Sequence, residues 1–459
     1  MKILEKYLQF EYLFVVIALI MGWRMAYTNP PWQSNDEDRH FYNAYALTLG
    51  QIGPKVQDGK IGQDLPKNMV DMVRSFQGIP FANEAKVSKK YLNSISKQKV
   101  NSHNVTFNPN PSANIQPVGY IPAAIGIWMA NLTNQSILDV GYWARLFMLF
   151  AFIFIVFLAI RTIPEDFKAI LFVVSLSPMI LYQSASVSYD SMTLALLLLY
   201  LALVVKYYFS TGTITTKQIA LLIIIACLQR LTKGGYFLLY FTALIIPMNK
   251  FKDKKAFILF LAGLLFAAFG ISYLWKFYLA SLDIPNNASA FFQKDFRFNQ
   301  GENLKYHLND PIKLITLTIQ NIFVQGKVWL RGIVGRFGYS YTLLPAGQVL
   351  LWYMLFLITA SHKRSKTSNK FKLIMGGLAI LNVMMVIVGF FMISPIGAHY
   401  VYGLQGRYFA PFVGFILIAL VQPNLFRINR NAYKIGLSVI VLVLLNMSIT
   451  YMNGFFYNP

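Results

Sequence analysis

The chain has 459 residues, of which 56% are hydrophobic and only 13% charged, and its mean hydropathy is +0.49. Soluble domains carry about 25% charged residues, so this composition excludes an ordinary soluble protein and predicts an all-α polytopic membrane protein. The net charge of +23 would favour nucleic acid in a soluble chain. Here the basic runs alternate with apolar segments, where they orient the chain in a bilayer, so membrane lipids are expected as neighbours and nucleic acid is not.

In chain order, apolar segments predict eleven spans, at about 11–28, 141–160, 168–186, 190–209, 217–231, 235–248, 256–279, 345–361, 372–394, 408–421 and 435–452. Three short connectors are strongly basic. They carry Lys250, Lys252, Lys254 and Lys255; Lys363, Arg364, Lys366, Lys370 and Lys372; and Arg427, Arg430 and Lys434. The bias of Lys and Arg toward the cytoplasmic side places all three there, and Lys2 and Lys6 place the N-terminus with them. Residues 118–132 are apolar but too short for a comfortable span, and counting them as one would invert every later connector. They are read as an interfacial or re-entrant helix. The expected layout is a single membrane domain over 1–459, with outer loops at about 29–140 and 280–344 and no separate soluble domain. The second loop contains an amphipathic basic stretch with Lys327, Arg331 and Arg336.

The chain has 18 Asp and Glu against 41 Lys and Arg. Three of those acids, Asp36, Glu37 and Asp38, follow the first span within a few residues. A carboxylate at the bilayer surface suits a base that meets a lipid-carried substrate, which singles out Asp36 and Glu37, with His40 beside them. On this map Asp190, Lys233 and Arg407 also lie on the outer side. Lys233 and Arg407 run against the charge bias in short outer loops, and a phosphate at the interface would compensate them. Each has a plainer reading. Asp36 and Glu37 also suit solvated or helix N-terminal acids, and Asp190 an N-cap. Lys233 and Arg407 also suit headgroup anchors. No zinc-hydrolase, cysteine-cluster or P-loop motif occurs. The lone Cys227 permits no internal disulfide.

Several marks occur in order over most of the chain. They are Asp36-Glu37 with His40-Phe41, Pro117-Val118-Gly119-Tyr120, Arg145, Ser177-Pro178, Ser188-Tyr189-Asp190, Lys233-Gly234 and Gln405-Gly406-Arg407-Tyr408-Phe409. Together they resemble a bacterial family of polytopic membrane proteins catalogued as a domain of unknown function, which is itself similar to the GT-C superfamily of integral-membrane glycosyltransferases. The resemblance implies interfacial helices in the first outer loop, a polyprenyl-phosphate sugar donor and a catalytic Asp just after the first span. It also implies a bacterial inner-membrane location with the site on the periplasmic face. The soluble C-terminal domain of many superfamily members is not recognisable here, so acceptor recognition is expected from the two outer loops.

The resulting expectation is transfer of a sugar from the lipid phosphate to a cell-envelope glycan or lipid acceptor, such as an O-antigen repeat, another cell-wall glycan or lipid A. Asp36 would be the base of an inverting displacement, and Glu37 would orient Asp36 or the acceptor. Arg407 and Lys233 would hold the donor phosphate, with Tyr408, His40 and Arg145 as further substrate contacts. Asp190 is a candidate ligand for a divalent cation, Mg or Mn. The alternatives are a flippase of lipid-linked sugars and an O-antigen polymerase or ligase. A flippase would show midplane charges or repeats, which the sequence lacks.

Overall fold

The structure is a computed structural model and describes residues 8–79, 86–282, 284, 299–338, 342–361, 367–421 and 429–457. Lys2, Lys6, Lys363, Arg364, Lys366 and Arg427, and parts of the loop expected at 280–344, lie outside the described residues. Helix α1 (Phe10–Thr28) leads into α2 (Glu37–Thr48). An antiparallel three-stranded sheet follows, β1 (Lys55–Gln57), β2 (Lys60–Pro66) and β3 (Val105–Pro109), with the short helices α3 (Lys67–Ser75) and α4 (Lys89–Ile95) between its second and third strands. A single 3-10 turn at Pro117–Tyr120 opens α5 (Ile121–Leu132).

The bundle continues with α6 (Ile137–Thr162), α7 (Lys168–Ser175), α8 (Pro178–Ser184), α9 (Tyr189–Phe209) and α10 (Thr216–Arg230). A 3-10 helix (Gly234–Ile245) precedes α11 (Lys254–Leu265), which runs through a π-turn into α12 (Ile271–Ala280). Helices α13 (Gln300–Asn309), α14 (Pro311–Gly335), α15 (Ala346–Ala360), α16 (Asn369–Met392), α17 (Ala410–Leu420) and α18 (Arg430–Phe456) complete the described chain.

Each of the eleven expected spans coincides with helical structure, but their lengths divide them. Six helical segments are long and apolar enough to cross a membrane: α1, α6, α9, α11–α12, α16 and α18. A seventh would be the pair Glu165–Ser175 and Pro178–Ser184, bent by 70°. The bend falls where Pro178, at the start of α8, cannot donate to a continuing helix. The 3-10 helix Gly234–Ile245, α15 and the Gly406–Leu420 segment are shorter; 15 residues of α-helix rise only about 22 Å, less than the roughly 30 Å hydrocarbon core. The count of eleven full spans therefore exceeds what helix length supports among the described residues.

Local chemistry accounts for the helix ends nearest the site. Ser188 caps α9 by accepting from the Asp190 amide, and Ser136 caps α6 through Asp139. Close approaches fix the outer elements against the bundle. A Cβ at Gly119 would come within 2.6 Å of Tyr189, and one at Gly126 within 2.6 Å of the Trp143 carbonyl, so these glycines let the turn before α5 and α5 itself lie on α9 and α6. At 12 residues α5 rises less than the bilayer core. The chain is mostly helical, as expected of an all-α membrane protein, with a small three-stranded sheet between α2 and α5.

At the end of the bundle where α1 starts, Lys168 pairs with Glu11 at 2.9 Å and with Glu165 at 3.4 Å, and Glu165 also pairs with Arg430 and Lys434. Arg430 and Lys434, at the start of α18, thus belong to an ion network at that end. The expected site residues gather at the other.

Candidate functional site

Four separate stretches of chain deliver the charges. Asp36 follows α1, Asp190 starts α9, Lys233 follows α10 and Arg407 precedes α17. Lys233 Nζ donates to Asp190 Oδ1 at 2.6 Å. The Arg407 guanidinium spans both acids, with Nη2 3.8 Å from Asp36 Oδ2 and Nη1 4.0 Å from Asp190 Oδ2. Gln183 Nε2 adds a 3.3 Å hydrogen bond to Asp190 Oδ2. Asp36 also faces Arg39 at 3.6 Å. Two carboxylates and three cations leave this cluster at +1, able to take up an anion.

The side chains differ in access. Asp36 is 36% exposed, whereas Asp190 and Arg407 are 9% and 7%. Asp36 is therefore the carboxylate an incoming group can reach. Its backbone is left-handed, with φ 57°, a conformation that costs a non-glycine residue roughly 1–3 kcal/mol and is often found at functional sites. Neighbouring Asn35 donates to Gln405 Oε1 at 3.0 Å, tying this turn to the segment that carries Arg407.

Tyr408 is an aromatic partner to both cations. Lys233 Nζ lies 4.2 Å from its ring centroid and the Arg407 guanidinium 5.1 Å, and Arg407 Nη2 donates to the Tyr408 hydroxyl at 3.2 Å. Such cation–π contacts strengthen as water is excluded. Lys233 also sits 5.0 Å from the Tyr189 ring. Burial alone would lower the Lys233 pKa, but the Asp190 carboxylate outweighs it and raises the value. Gly406 has no room for a side chain: a Cβ would come within 2.1 Å of the Trp329 carbonyl. The Arg407 turn is thereby seated directly on α14.

His40, one turn into α2, is buried, with Nδ1 2.8 Å from the Tyr120 hydroxyl and its ring edge-on to Tyr189 at 4.8 Å. Burial pushes its pKa down to about 4, against the opposing pull of Asp36 and Asp190. It is neutral at pH 7. Burial likewise holds the Tyr120 hydroxyl far above the usual tyrosine range.

Glu37 and Arg145 are placed differently. Arg145 Nε and Nη2 donate to the two Glu37 oxygens at 2.7 and 2.6 Å, while its remaining donors reach the carbonyls of Ala26, Asn29 and Pro30 at 2.6–2.7 Å. All five guanidinium N–H groups are used. Glu37 also accepts from the amides of Ser34 and Val187. Both side chains are at most 3% exposed. This pair locks the chain leaving α1 to α6 and α8–α9, so Arg145 has no donor left for a substrate and Glu37 no free oxygen for one. The geometry thus departs from the expectations of an Arg145 substrate contact and a Glu37 acceptor contact; the pair fixes the turn that carries Asp36.

Asp190 accepts from two side chains, Lys233 and Gln183, with the Arg407 guanidinium 4.0 Å away, and among the described residues no group of three His, Cys, Asp or Glu side chains is arranged to hold a metal ion. The residues at Asp190 do not fit a divalent cation. Gln183 was not singled out in the sequence, and Tyr120 and Tyr189 stood among its marks without a site role. Gln183 carries the one usable signal, a polar residue in an apolar helix. Its Oε1, the Ser191 hydroxyl and Arg407 Nε are buried without hydrogen-bond partners, leaving polar capacity around Asp190 unmet.

An apolar groove of about 700 Å³ is walled by α14, α15, α16 and α17 and reaches Phe409, two residues along the chain from Arg407. Among the described residues, Lys327 and Arg331 are its charged lining residues; Arg331 donates to the Leu344 carbonyl at 2.6 Å.

Comparison with known proteins gives one family and no closer relative. Neither a curated protein nor a solved structure matches the chain. Residues 19–416 match the family of predicted membrane proteins designated DUF2142, a span that contains every charged residue of the cluster. The chain belongs to the DUF2142 family of membrane proteins.

Proposed function

We propose that the protein is a glycosyltransferase of the GT-C type, moving a sugar from a polyprenyl-phosphate donor to a cell-envelope glycan or lipid at the periplasmic face of a bacterial inner membrane. The observation that carries this reading is the grouping of one accessible carboxylate, Asp36, with the buried Arg407 and the half-buried Lys233, at the bundle end away from the ion network of Glu165. Base and phosphate site are the two things the reaction needs side by side.

In the proposed step the acceptor hydroxyl attacks the anomeric carbon as its proton passes to Asp36. The new C–O bond forms as the bond from the anomeric carbon to the phosphate oxygen breaks, and polyprenyl phosphate leaves with an added negative charge. Arg407 stabilises that charge where water is scarce. Lys233, already paired with Asp190, holds the geometry of Arg407 and Tyr408. A single base implies inversion; a retaining double displacement would need a second carboxylate about 5–5.5 Å away as nucleophile, and Asp190 is committed to Lys233. The apolar groove beside Phe409 suits the isoprenoid tail.

The deciding experiment is incubation of the purified, lipid-reconstituted protein with radiolabelled polyprenyl-phosphate sugars and a panel of envelope acceptors. Transfer that Asp36→Asn abolishes is expected. No transfer from any such donor, with intact protein, would overturn the reading.

A further inference from the structure

Between α16 and α17 the chain makes an irregular loop, Pro395–Gly403, that lines an open surface recess of about 600 Å³. That volume lies within the roughly 300–1,000 Å³ of typical ligand clefts. An exposed nine-residue loop would ordinarily be held by little, yet this one is pinned along its length. At its start Asn303 Nδ2 donates to the carbonyls of Phe391 and Ser394 at 2.7 and 2.8 Å. In its middle Asn321 Nδ2 donates to the His399 carbonyl at 2.8 Å, and Asn321 Oδ1 accepts from the Val401 amide at 3.1 Å. Near its end the Tyr402 amide donates to Ser394 Oγ at 2.9 Å. Asn303 and Asn321 are fully buried and come from α13 and α14, in the second outer loop. Gly397 and Gly403 supply the positive φ values, 76° and 73°, that close the loop.

The fixed backbone holds up exposed aromatic rings, with Tyr400 47% and Tyr402 58% accessible and His399 exposed beside them. The loop is also joined to the chemistry. Two residues after Gly403, Gln405 accepts from Asn35, the residue before Asp36, and Arg407 follows two residues later. The segment that leaves this loop is therefore tied to the turn that carries the accessible base.

We propose that the Pro395–Gly403 loop is the acceptor-saccharide subsite, binding a glycan whose ring faces stack on Tyr400 and Tyr402 and whose hydroxyls meet the loop's polar groups. This rests on the glycosyltransferase reading above and names the element that binds its acceptor. Tyrosine offers a flat apolar face with a polar tip at low entropic cost, which suits a saccharide's alternation of C–H faces and hydroxyls. Holding the loop in one conformation before binding reduces the ordering cost of association. The competing role for two exposed tyrosines is a membrane-interface belt, and the test separates the two.

The full chain, reconstituted in lipid nanodiscs, is applied to an array of bacterial-envelope oligosaccharides comprising O-antigen repeats and cell-wall glycan fragments. Wild type and Asp36→Asn are expected to retain the same glycans. Tyr400→Ala and Tyr402→Ala should each weaken that retention about tenfold, with Tyr400→Trp restoring it, while binding of a polyprenyl-phosphate sugar is unchanged. Both tyrosines are exposed, so folding should survive their replacement. Retention by wild type that the Tyr400→Ala/Tyr402→Ala double variant matches would overturn the proposal, as would wild type that retains no glycan. Tyrosine variants that lose only nanodisc incorporation would assign the rings to the membrane interface and overturn it too. Tyrosine-dependent glycan retention in a protein that transfers no sugar would sustain the subsite and count against the glycosyltransferase reading alone.

Discussion

Arg407 stands 3.8 Å from Asp36, close enough for attraction and too far for a strong hydrogen bond; charge-assisted N–H···O contacts settle at about 2.7–2.9 Å. The same guanidinium is 4.0 Å from Asp190. It is held between two carboxylates and tightly bound to neither. An arriving phosphate would compete for it, and Arg407 moving onto that phosphate would leave Asp36 freer to accept a proton. Donor binding should therefore precede productive acceptor binding. Initial-rate kinetics with both substrates varied should show an ordered pattern with the donor first; random addition would speak against the shared-guanidinium account.

Asp36→Asn keeps the shape of the side chain and removes its proton affinity. General-base catalysis typically contributes about 10²–10⁴-fold, and transfer should fall by that order. Asparagine tolerates the left-handed backbone well, so thermal stability should change little. Wild-type turnover in this variant would remove Asp36 from the role.

Glu37 should behave in the opposite way. Glu37→Gln or Arg145→Met leaves one half of a buried, fully hydrogen-bonded pair without its partner, a loss that typically costs about 3–5 kcal/mol. Both variants should show a sharply lower melting temperature in detergent, and the Glu37→Gln/Arg145→Met double variant should lose less than the sum of the two. A Glu37→Gln protein of normal stability and no activity would instead make Glu37 a chemical participant.

Adjacent residues Asp36 and Glu37 show where the sequence stopped being informative. Their clustering after the first span marked the turn, and charge bias brought Asp190, Lys233 and Arg407 to the same side of the map. Which of the two acids faces outward depends on a left-handed turn at Asp36 and on Arg145, more than 100 positions away, neither of which leaves a local pattern. The sheet of β1, β2 and β3 was hidden for a related reason. Its first strands, Lys55-Val56-Gln57 and Lys60 to Pro66, are short and polar and lack the β-branched alternation that marks a strand. Hydropathy located the helices well, yet it cannot tell a 15-residue helix packed within the bundle from one that crosses the bilayer.

His40 supplies a pH dependence with a definite sign. Its pKa is about 4 in the fold and near 6.5 in an unfolded chain. Between those values the unfolded chain binds a proton that the folded one excludes, so stability is highest above pH 6.5 and falls as pH drops toward 4. The slope approaches about 1.4 kcal/mol per pH unit. Aspartates 36 and 190 oppose the shift while Arg407 and Lys233 reinforce it. In His40→Gln, whose amide can still reach Tyr120, the melting temperature should drop less between pH 7.5 and pH 5 than in wild type. An unchanged drop would mean that His40 does not titrate in this range.

Arg407 and Lys233 should separate on replacement. Arg407 is loosely held, and its Nε has no partner, so it has capacity for a phosphate. A guanidinium can grip two phosphate oxygens at once, which an ammonium cannot. Arg407→Lys should thus impair donor binding and Arg407→Ala impair it more. Losing a charge-assisted hydrogen bond costs roughly 1.5–3 kcal/mol, or about ten- to a hundredfold in affinity. Lys233 is already spent on Asp190 at 2.6 Å. Its removal strands a buried carboxylate, so Lys233→Ala should lower stability first and donor affinity as a consequence. Lys233→Ala combined with Asp190→Asn should then recover much of the stability, since no unpaired charge is left behind. Melting temperature and donor-lipid binding measured on all four variants provide the check. Unchanged donor affinity in both Arg407 variants would show that this arginine serves only the carboxylates around it, and the phosphate site would have to be sought along the groove at Lys327.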